Sequence, residues 1–272
     1  MVKVGNFRSG ENELYYSCGI PPRRTNDVGI IFVHAADGNR LGPHRMFVEA
    51  ANRLNVLGYP TLRFDLAGCG DSTGAASDND ITADVSDVIS AVRFFVTEAN
   101  LQGVVLFGIS RGARVCYTAM VQHRLPLNGM ILLSTPISSG RAALKSFGSR
   151  LSEYVCKLKD PEYLRKFLSG RASIAQIRQT LLTALRLRCR YTGTEKKAFT
   201  SKCAVLFIYG GYDPIAAESS RYYTGRCREN DVPYDCHVIS GANHSFFHYK
   251  WKEEIFDVSR QWLERILKQV PR

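Results

Sequence analysis

The stretch VVLFGISRGA, residues 104–113, runs an apolar segment directly into a serine that stands between two glycines. Ser110 lies two residues after Gly108 and two residues before Gly112, which gives the pattern G-x-S-x-G. Glycine is needed where a Cβ atom would collide or where the backbone takes angles that other residues resist. A serine that only capped a helix would not need both glycines. The pattern therefore predicts a serine on a sharp turn between a strand and a helix.

Segments with the patterns of strands and helices alternate on both sides of this turn. The strands are predicted at 13–19, 28–34, 60–66, 103–109, 129–136, 203–210 and 234–239. The helices are predicted at 42–59, from residue 78 onward, at 111–123 and at 251–267. Short, continuous apolar strands such as GVVLFGI are typical of a parallel sheet that is covered on both faces. The alternation predicts an α/β protein with a doubly wound, mostly parallel sheet.

The helix predicted to begin at DNDITADVSD, residues 78–87, is amphipathic. Its apolar residues fall on one helical stripe, which contains Ile81, Val85, Val88, Ile89 and Val92. Asp84 and Asp87 are predicted to face away from that stripe.

The positive charge of the chain is concentrated in one internal segment. The formal net charge is +11, and residues 141–202 contain 15 Lys or Arg against 4 Asp or Glu, whereas the rest has 21 of each. Strand patterns are absent from about 137 to 200, where Ile174, Ile177, Leu181 and Leu185 form an apolar helical stripe. We interpret 137–200 as a helical, basic cap inserted into a neutral core formed by 1–136 and 201–272.

Several classes of protein are not indicated by the sequence. The N-terminal residues lack the apolar region of a secretory signal, and no apolar run approaches ~18 residues, so a cytoplasmic protein without a transmembrane helix is expected. Eight cysteines without a C-x-x-C pair indicate reduced thiols. His244 and His248 are four residues apart but lack the glutamate of H-E-x-x-H, so no metal is expected. Without a G-x-G-x-x-G motif or a P-loop, no nucleotide cofactor is implied.

A nucleophilic serine needs a base, and the base needs a carboxylate that orients it. His244 follows the last predicted strand in a loop of small residues, and Asp213 follows the strand before it. Both side chains would lie at the carboxyl ends of strands, where open α/β sheets build their sites. Asp235 is nearer to His244 in sequence, but it falls within a strand pattern and is the weaker candidate acid. The sequence therefore predicts the triad Ser110, His244 and Asp213.

In the order of these motifs, the chain resembles the α/β-hydrolase superfamily, and within it the serine-aminopeptidase-like and monoglyceride-lipase-like branch. The motifs that carry the resemblance are FVHAADGN (32–39), GYPTLRFDLAGCGDSTG (58–74), GISRGA (108–113), YGGYDPI (209–215) and GANHSF (241–246). They cover most of the chain outside the basic segment. A weaker likeness, over residues 42–72, is to hydrolases associated with bacterial exosortase systems.

The resemblance implies an oxyanion hole made by two backbone N–H groups. The first belongs to the residue after the nucleophile, Arg111, and the second to the loop after the third strand, where Ala36 is the matching position. That loop usually begins His-Gly in the superfamily, whereas this chain reads His34-Ala35-Ala36. Asp65 and Asp71 match a structural strap of the superfamily. The basic segment matches the position of the cap over the strand ends.

These features predict a cofactor-independent serine hydrolase for carboxylic esters or thioesters of hydrophobic acyl groups. Acyl transfer and peptide cleavage use the same triad and remain alternatives, as does a non-catalytic protein that docks an anionic partner. The basic cap is either a solvated surface or a site for an anionic partner: coenzyme A, an acyl-carrier protein, a phosphorylated substrate or an anionic membrane surface. Nucleic acid is not expected, because no recognisable binding fold accompanies the charge. The oligomeric state is left open.

Overall fold

A computed structural model describes residues 2–25, 27–35, 38–75, 81–137 and 199–268 of the chain. The strands are β1 (Val2–Ser9), β2 (Asn12–Gly19), β3 (Val28–Val33), β4 (Thr61–Phe64), β5 (Gly103–Ile109), β6 (Leu127–Leu133), β7 (Ala204–Gly210) and β8 (Tyr234–Ile239). The helices are a 3-10 turn (Pro43–Arg45), α1 (Met46–Val56), α2 (Ile81–Glu98), α3 (Arg111–Gln122), α4 (Ala216–Glu229) and α5 (Tyr249–Lys268). These labels number the described elements only.

The described strands form one mostly parallel sheet in the order β1-β2-β4-β3-β5-β6-β7-β8. Only β1 with β2 and β2 with β4 pair antiparallel, and the remaining neighbours are parallel. The order reverses at β3, so that the chain winds outward from the centre in both directions. The doubly wound α/β fold expected from the sequence is confirmed.

The central strands are buried because helices cover both faces of the sheet. Every residue of β3 and of β5 is buried, which explains why these strands are apolar without interruption. On one face, α1 and α5 pack against the sheet through Phe47, Leu54, Ile255 and Trp262. The parallel strands thus hold their carboxyl ends rigidly at one edge of the sheet.

Two elements differ most from the sequence-based expectation. Strand β1 was not predicted, because its outer residues are mostly exposed and it lies at the edge of the sheet beyond β2. Helix α1 is shorter than the predicted 42–59, since a 3-10 turn with left-handed His44 and Arg45 precedes it. Both departures lie outside the central parallel strands.

The predicted domain boundary falls almost entirely outside the described residues. Met1–Pro136 and Lys197–Arg272 form one compact unit. The predicted cap, 137–200, is described only at 137 and 199–200, so its helical nature stays a prediction. Within the described ranges, no helix is long and apolar enough to cross a membrane.

Candidate active site

Ser110 occupies the turn between β5 and α3 in a backbone conformation that is unusual for any residue with a side chain. Its φ is 52° and its ψ is −121°. Such angles cost a non-glycine residue free energy and persist only where the surroundings enforce them. The Ser110 side chain makes no capping hydrogen bond to α3, which excludes the role of a simple helix cap. The turn instead presents the hydroxyl at the carboxyl edge of the sheet.

The glycines on either side of Ser110 allow helix α3 to approach the sheet closely. A Cβ atom on Gly112 would collide with the carbonyl oxygens of Val33 and His34 at the end of β3. A Cβ atom on Gly108 would lie 2.6 Å from the Cα of Ala113. No side chain larger than hydrogen fits either position without a shift of the backbone. Packing therefore enforces the turn that the G-x-S-x-G pattern predicted.

The structure brings the three residues of the predicted triad together. The Nε2 atom of His244 lies 3.0 Å from Oγ of Ser110, within hydrogen-bond distance. Its Nδ1 atom lies 2.8 Å from Oδ2 of Asp213. The imidazole thus connects a hydroxyl on one side with a carboxylate on the other, although the residues are far apart in sequence. This is the arrangement that general-base activation of a serine requires.

The loops that carry Asp213 and His244 are tied to each other by backbone hydrogen bonds. The amide of Gly211 donates to the carbonyl of Ile239 at 2.8 Å, and that of Tyr212 donates to Ala242 at 2.8 Å. The Asp213 side chain is fully buried, whereas the His244 side chain is 39% exposed. The second carboxylate oxygen of Asp213 accepts the amide of Ile215 at 3.2 Å. The carboxylate is therefore fixed, and the imidazole is accessible to a small molecule.

Asp235, the weaker candidate acid, points away from the triad. Its carboxylate accepts a hydrogen bond from Nε1 of Trp262 at 2.9 Å and forms an ion pair with Arg265. Both partners belong to α5, so Asp235 anchors that helix to β8. The geometry favours Asp213 over Asp235 as the partner of His244.

Arg111 begins helix α3, directly after Ser110, so that its backbone N–H stands at the positive end of the helix dipole. Its side chain forms an ion pair with Asp84, with 2.6 Å between Nε and Oδ2. That contact joins the first residue of α3 to α2. Ala36, the second predicted oxyanion donor, lies outside the described residues. Its role stays a prediction.

His34 fastens the start of the loop that contains Ala36. Its Nε2 atom accepts the amide of Leu66 at 3.0 Å, and its Nδ1 atom lies 2.7 Å from the carbonyl oxygen of Ala35. Because Nε2 is an acceptor, Nδ1 carries the proton and donates to Ala35. Burial lowers the pKa of His34, and the neutral ring is the form that both hydrogen bonds need.

Asp84 and Asp87 were expected to face away from the apolar stripe of α2. The structure shows in addition that both side chains are buried. Asp84 is 2% exposed and Asp87 is 3% exposed. Asp84 pairs with Arg111, and Asp87 accepts the amide of Ala67 at 2.9 Å. Burial raises the pKa of Asp87. These carboxylates face polar partners in neighbouring loops, which helical periodicity alone does not reveal.

A further ion-pair network, also missed in the sequence, joins the loop after β3 to the loop after β4. The backbone amide of Arg40 donates to the buried carboxylate of Asp65 at 2.5 Å, and its guanidinium pairs with both Asp65 and Asp71. The amide of Asp71 also donates to Asp65 at 3.0 Å. The structural role predicted for these two aspartates is consistent with this network. Arg40 had no sequence signal beyond its place after the His34 loop.

Metal-ligating side chains do not cluster among the residues that the structure describes. Within these ranges, no group of three or more His, Cys, Asp or Glu side chains is placed to hold a metal ion. The six described cysteines, Cys18, Cys69, Cys116, Cys203, Cys227 and Cys236, are all free thiols. Burial raises the pKa of Cys203 to about 12, which disfavours the nucleophilic thiolate form at neutral pH.

Comparison with known proteins identifies the family. Residues 30–258 match the sequence profile of the Alpha/beta hydrolase family, and the chain therefore belongs to that family. The fold class predicted from the sequence is confirmed, and the chain is placed in a family of hydrolases.

The chain is also similar to curated proteins and to solved structures. It is 29% identical over 140 residues to lysophosphatidylserine lipase ABHD12 of Mus musculus, a match that covers 50% of this chain and 33% of that protein. The chain thus spans about a third of the length of this relative. The structure of Est1E from Butyrivibrio proteoclasticus with bound ferulic acid has a TM-score of 0.69 at 15% identity. The match covers 97% of this chain and 100% of the Est1E chain. An esterase of Pyrococcus furiosus has a TM-score of 0.71 at 18% identity, and the match covers 98% of this chain and 91% of the esterase. At these identities, the solved structures support the fold alone.

Proposed function

We propose that this member of the Alpha/beta hydrolase family is a serine hydrolase that uses Ser110, His244 and Asp213 as its catalytic triad. The observation that carries the proposal is the position of the His244 imidazole, 3.0 Å from Ser110 Oγ and 2.8 Å from Asp213 Oδ2. The strained backbone of Ser110 is a second, independent reason, because strain of this kind gathers at functional sites.

In the acylation step, the Ser110 hydroxyl attacks the carbonyl carbon of the substrate while Nε2 of His244 takes its proton. Asp213 holds the Nδ1–H of the ring and stabilises the imidazolium that forms. The N–H of Arg111, together with that of Ala36, donates to the negative oxygen of the tetrahedral intermediate. The intermediate collapses as the bond to the leaving group breaks and His244 protonates that group. An acyl-Ser110 ester remains.

In the deacylation step, water takes the place of the leaving group. His244 removes a proton from the water as it attacks the acyl carbon. The second tetrahedral intermediate expels the Ser110 oxygen, which recovers its proton from His244, and the carboxylic acid departs. No metal or redox group takes part in this sequence, because the three side chains and the two amides supply all the proton transfers and charge stabilisation.

We infer that the substrates are carboxylic esters or thioesters of hydrophobic acyl groups. Similarity to a lysophosphatidylserine lipase supports an acyl ester of an anionic lipid as one member of this class. The positive charge of residues 141–202 supports recruitment of an anionic substrate, such as a lipid, an acyl-coenzyme A or an acyl-carrier protein. Acyl transfer would use the same acyl-enzyme with an alcohol or amine in place of water.

A fluorophosphonate probe tests the triad directly, since it forms a covalent bond only with an activated serine. The wild-type chain should be labelled on Ser110, and Ser110→Ala should be neither labelled nor active. His244→Ala should lose nearly as much activity, and the double variant should lose little more, because the triad acts as a unit. Wild-type turnover by Ser110→Ala, or failure of the wild type to react, would exclude this mechanism and favour a binding protein.

A panel of substrates separates the remaining alternatives. The panel contains p-nitrophenyl esters of increasing acyl length, acyl-coenzyme A thioesters, lysophospholipids with neutral or anionic headgroups, and peptide amides. We expect kcat/KM to rise with acyl length and to be negligible for peptide amides. A preference for peptides would instead assign the triad to a peptidase, and product esters formed with added alcohols would assign it to acyl transfer.

A further inference from the structure

An exposed group of aromatic side chains lies immediately after the predicted catalytic histidine. Phe246 is fully buried and turns the chain with a φ of 50°. The next four residues, 247–250, are all exposed, with Phe247 at 53% and Tyr249 at 64%. The sequence here reads FHYK and leads into helix α5. Large apolar side chains thus face solvent three to five residues from His244.

These side chains contact one another and a histidine from the turn before α1. The ring centroids of Phe247 and Trp251 are 5.1 Å apart, and those of His248 and Trp251 are 5.4 Å apart. The ring centroids of His44 and Phe247 are 6.4 Å apart, with the rings edge to face, and those of His248 and Tyr249 are also 6.4 Å apart. We call the five residues His44, Phe247, His248, Tyr249 and Trp251 the aromatic rim. It is one contiguous surface built from two separate segments of the chain.

Positive charge accompanies the aromatic rim. Arg45 and Lys250, each adjacent in sequence to a rim residue, are exposed and form no ion pair with any residue that the structure describes. Lys252, by contrast, pairs with Glu49 at 2.8 Å, so these two charges offset each other. The rim therefore combines four exposed rings and the half-buried ring of Trp251 with two unneutralised cations.

Exposed aromatic rings with neighbouring cations suit the surface of an anionic lipid bilayer. Aromatic side chains are favoured at the level of the lipid headgroups, where the ring contacts acyl chains and a polar atom such as the tyrosine hydroxyl contacts water or headgroups. Basic side chains beside them are attracted to anionic headgroups. A stable interface with a folded protein needs about 800 Å² of complementary surface on each partner. A bilayer, by contrast, requires no matched shape, so a few exposed rings from two short segments can bind it.

We propose that the aromatic rim, with Arg45 and Lys250, is the surface through which this protein docks on anionic membranes. Phe247 and Tyr249 enter the headgroup region, and the two cations contact lipid phosphates or carboxylates. Docking at this place holds the triad beside the bilayer, where an acyl ester of a lipid is available. The binding itself does not depend on the proposed hydrolysis.

The test measures binding to vesicles with the Ser110→Ala chain, so that hydrolysis cannot alter the lipids. Co-sedimentation uses vesicles of phosphatidylcholine alone and of equimolar phosphatidylcholine and phosphatidylserine. We expect the chain to bind the anionic vesicles. The double variant Phe247→Ser, Tyr249→Ser should bind them with an affinity lower by about tenfold or more, because apolar ring surface is lost. Replacing Arg45 and Lys250 by glutamine should lower the affinity for anionic vesicles by roughly fivefold for each charge removed. Affinity for phosphatidylcholine vesicles should not change.

Matched controls come from exposed apolar residues outside the rim. Val56 is 87% exposed at the end of α1, and Val238 is 54% exposed on β8. Val56→Ser and Val238→Ser should bind vesicles like their parent, and thermal unfolding should show all variants folded. Absence of vesicle binding would overturn the proposal, and so would equal binding by the rim variants and the controls. Binding that depends on Arg171, Arg178 and Arg186 but not on the rim would assign membrane contact to the basic segment instead.

Discussion

Nδ1 of His244 lies 2.8 Å from Oδ2 of Asp213, and the two residues are separated by 31 positions in the sequence. Asp235, which is nearer in sequence, binds Trp262 and Arg265 instead. The order of the strands decides this pairing, because β7 and β8 are parallel neighbours whose carboxyl ends meet at one edge. Proximity in sequence is therefore a poor guide to the acid, and the position after a strand is a good one.

The first prediction concerns this pair. Asp213→Asn should lower kcat by about 10³-fold or more with little change in KM, since the amide cannot orient the histidine or stabilise the imidazolium. Asp235→Asn is the matched control and should reduce activity only slightly, although α5 loses an anchor. Steady-state kinetics with a soluble p-nitrophenyl ester would measure both. A larger loss in Asp235→Asn would transfer the role of the acid to that residue.

The second prediction concerns backbone strain at Ser110. At a φ of 52° and a ψ of −121°, alanine keeps the steric cost of a Cβ atom, whereas glycine does not. Ser110→Gly should therefore be more stable than Ser110→Ala by roughly 1 kcal/mol in free energy of unfolding, partly offset by the greater freedom of glycine in the unfolded chain. Urea unfolding of the two inactive variants measures the difference. Equal stabilities would show that the turn is not strained.

The third prediction concerns the close approach of α3 to β3. Gly112→Ala should lower the free energy of unfolding by about 2 kcal/mol or more and abolish activity, because the new methyl group meets the carbonyl oxygens of Val33 and His34. Gly225→Ala is the matched control, since a Cβ atom there meets nothing within 4 Å inside helix α4. It should gain roughly 0.5–1 kcal/mol from helix propensity. Similar effects of the two substitutions in thermal unfolding would contradict the packing described for the turn.

The fourth prediction is a pH dependence of stability that arises from His34. Burial lowers its pKa below the ordinary value of 6.5, so the unfolded chain binds a proton at a pH where the folded chain does not. The stability contributed by neutral His34 is complete above about pH 6.5 and is lost as pH falls toward the folded pKa. Across that window, the free energy of unfolding should decrease by up to about 1.4 kcal/mol per pH unit.

His34→Gln provides the control for this pH dependence. Its side-chain oxygen can accept the amide of Leu66, as Nε2 of His34 does, but it cannot take up a proton. Denaturant unfolding at a series of pH values should give a flatter profile for the variant than for the wild type. Parallel profiles would mean that His34 does not titrate differently in the two states.

The fifth prediction concerns three arginines of the basic segment, which lie outside the residues that the structure describes. Replacing Arg171, Arg178 and Arg186 by glutamine should lower kcat/KM for acyl-coenzyme A or carrier-protein substrates and leave small neutral esters unaffected. The effect should fade as salt rises, since exposed charges are screened beyond ~10 Å at ~0.1 M ionic strength. Equal losses with charged and neutral substrates would mean that these arginines maintain the shape of the segment. No loss with either would leave a solvated surface.

Several parts of the molecule could not be predicted from the sequence. Strand β1 is mostly exposed and lies at the sheet edge, so it lacks the continuous apolar run that marked the central strands. The burial of Asp84 and Asp87 depends on Arg111 and on the amide of Ala67, which come from distant parts of the chain. Helical periodicity predicts which face of a helix is apolar, but it does not predict which polar side chains form hydrogen bonds or ion pairs with distant residues.

The sequence by itself determined the doubly wound sheet, the turn at Ser110 and the positions of Asp213 and His244 at strand ends. These features follow from local rules, namely apolar periodicity, glycines beside a serine, and small-residue loops after strands. Only the tertiary structure gave the distance between Asp213 and His244 and showed that Arg40, Asp65 and His34 connect neighbouring loops. It also brought His44 and Phe247, which come from separate segments of the chain, together in the aromatic rim. Such contacts join segments far apart in the chain, and the packing of strands and helices is what sets their distances.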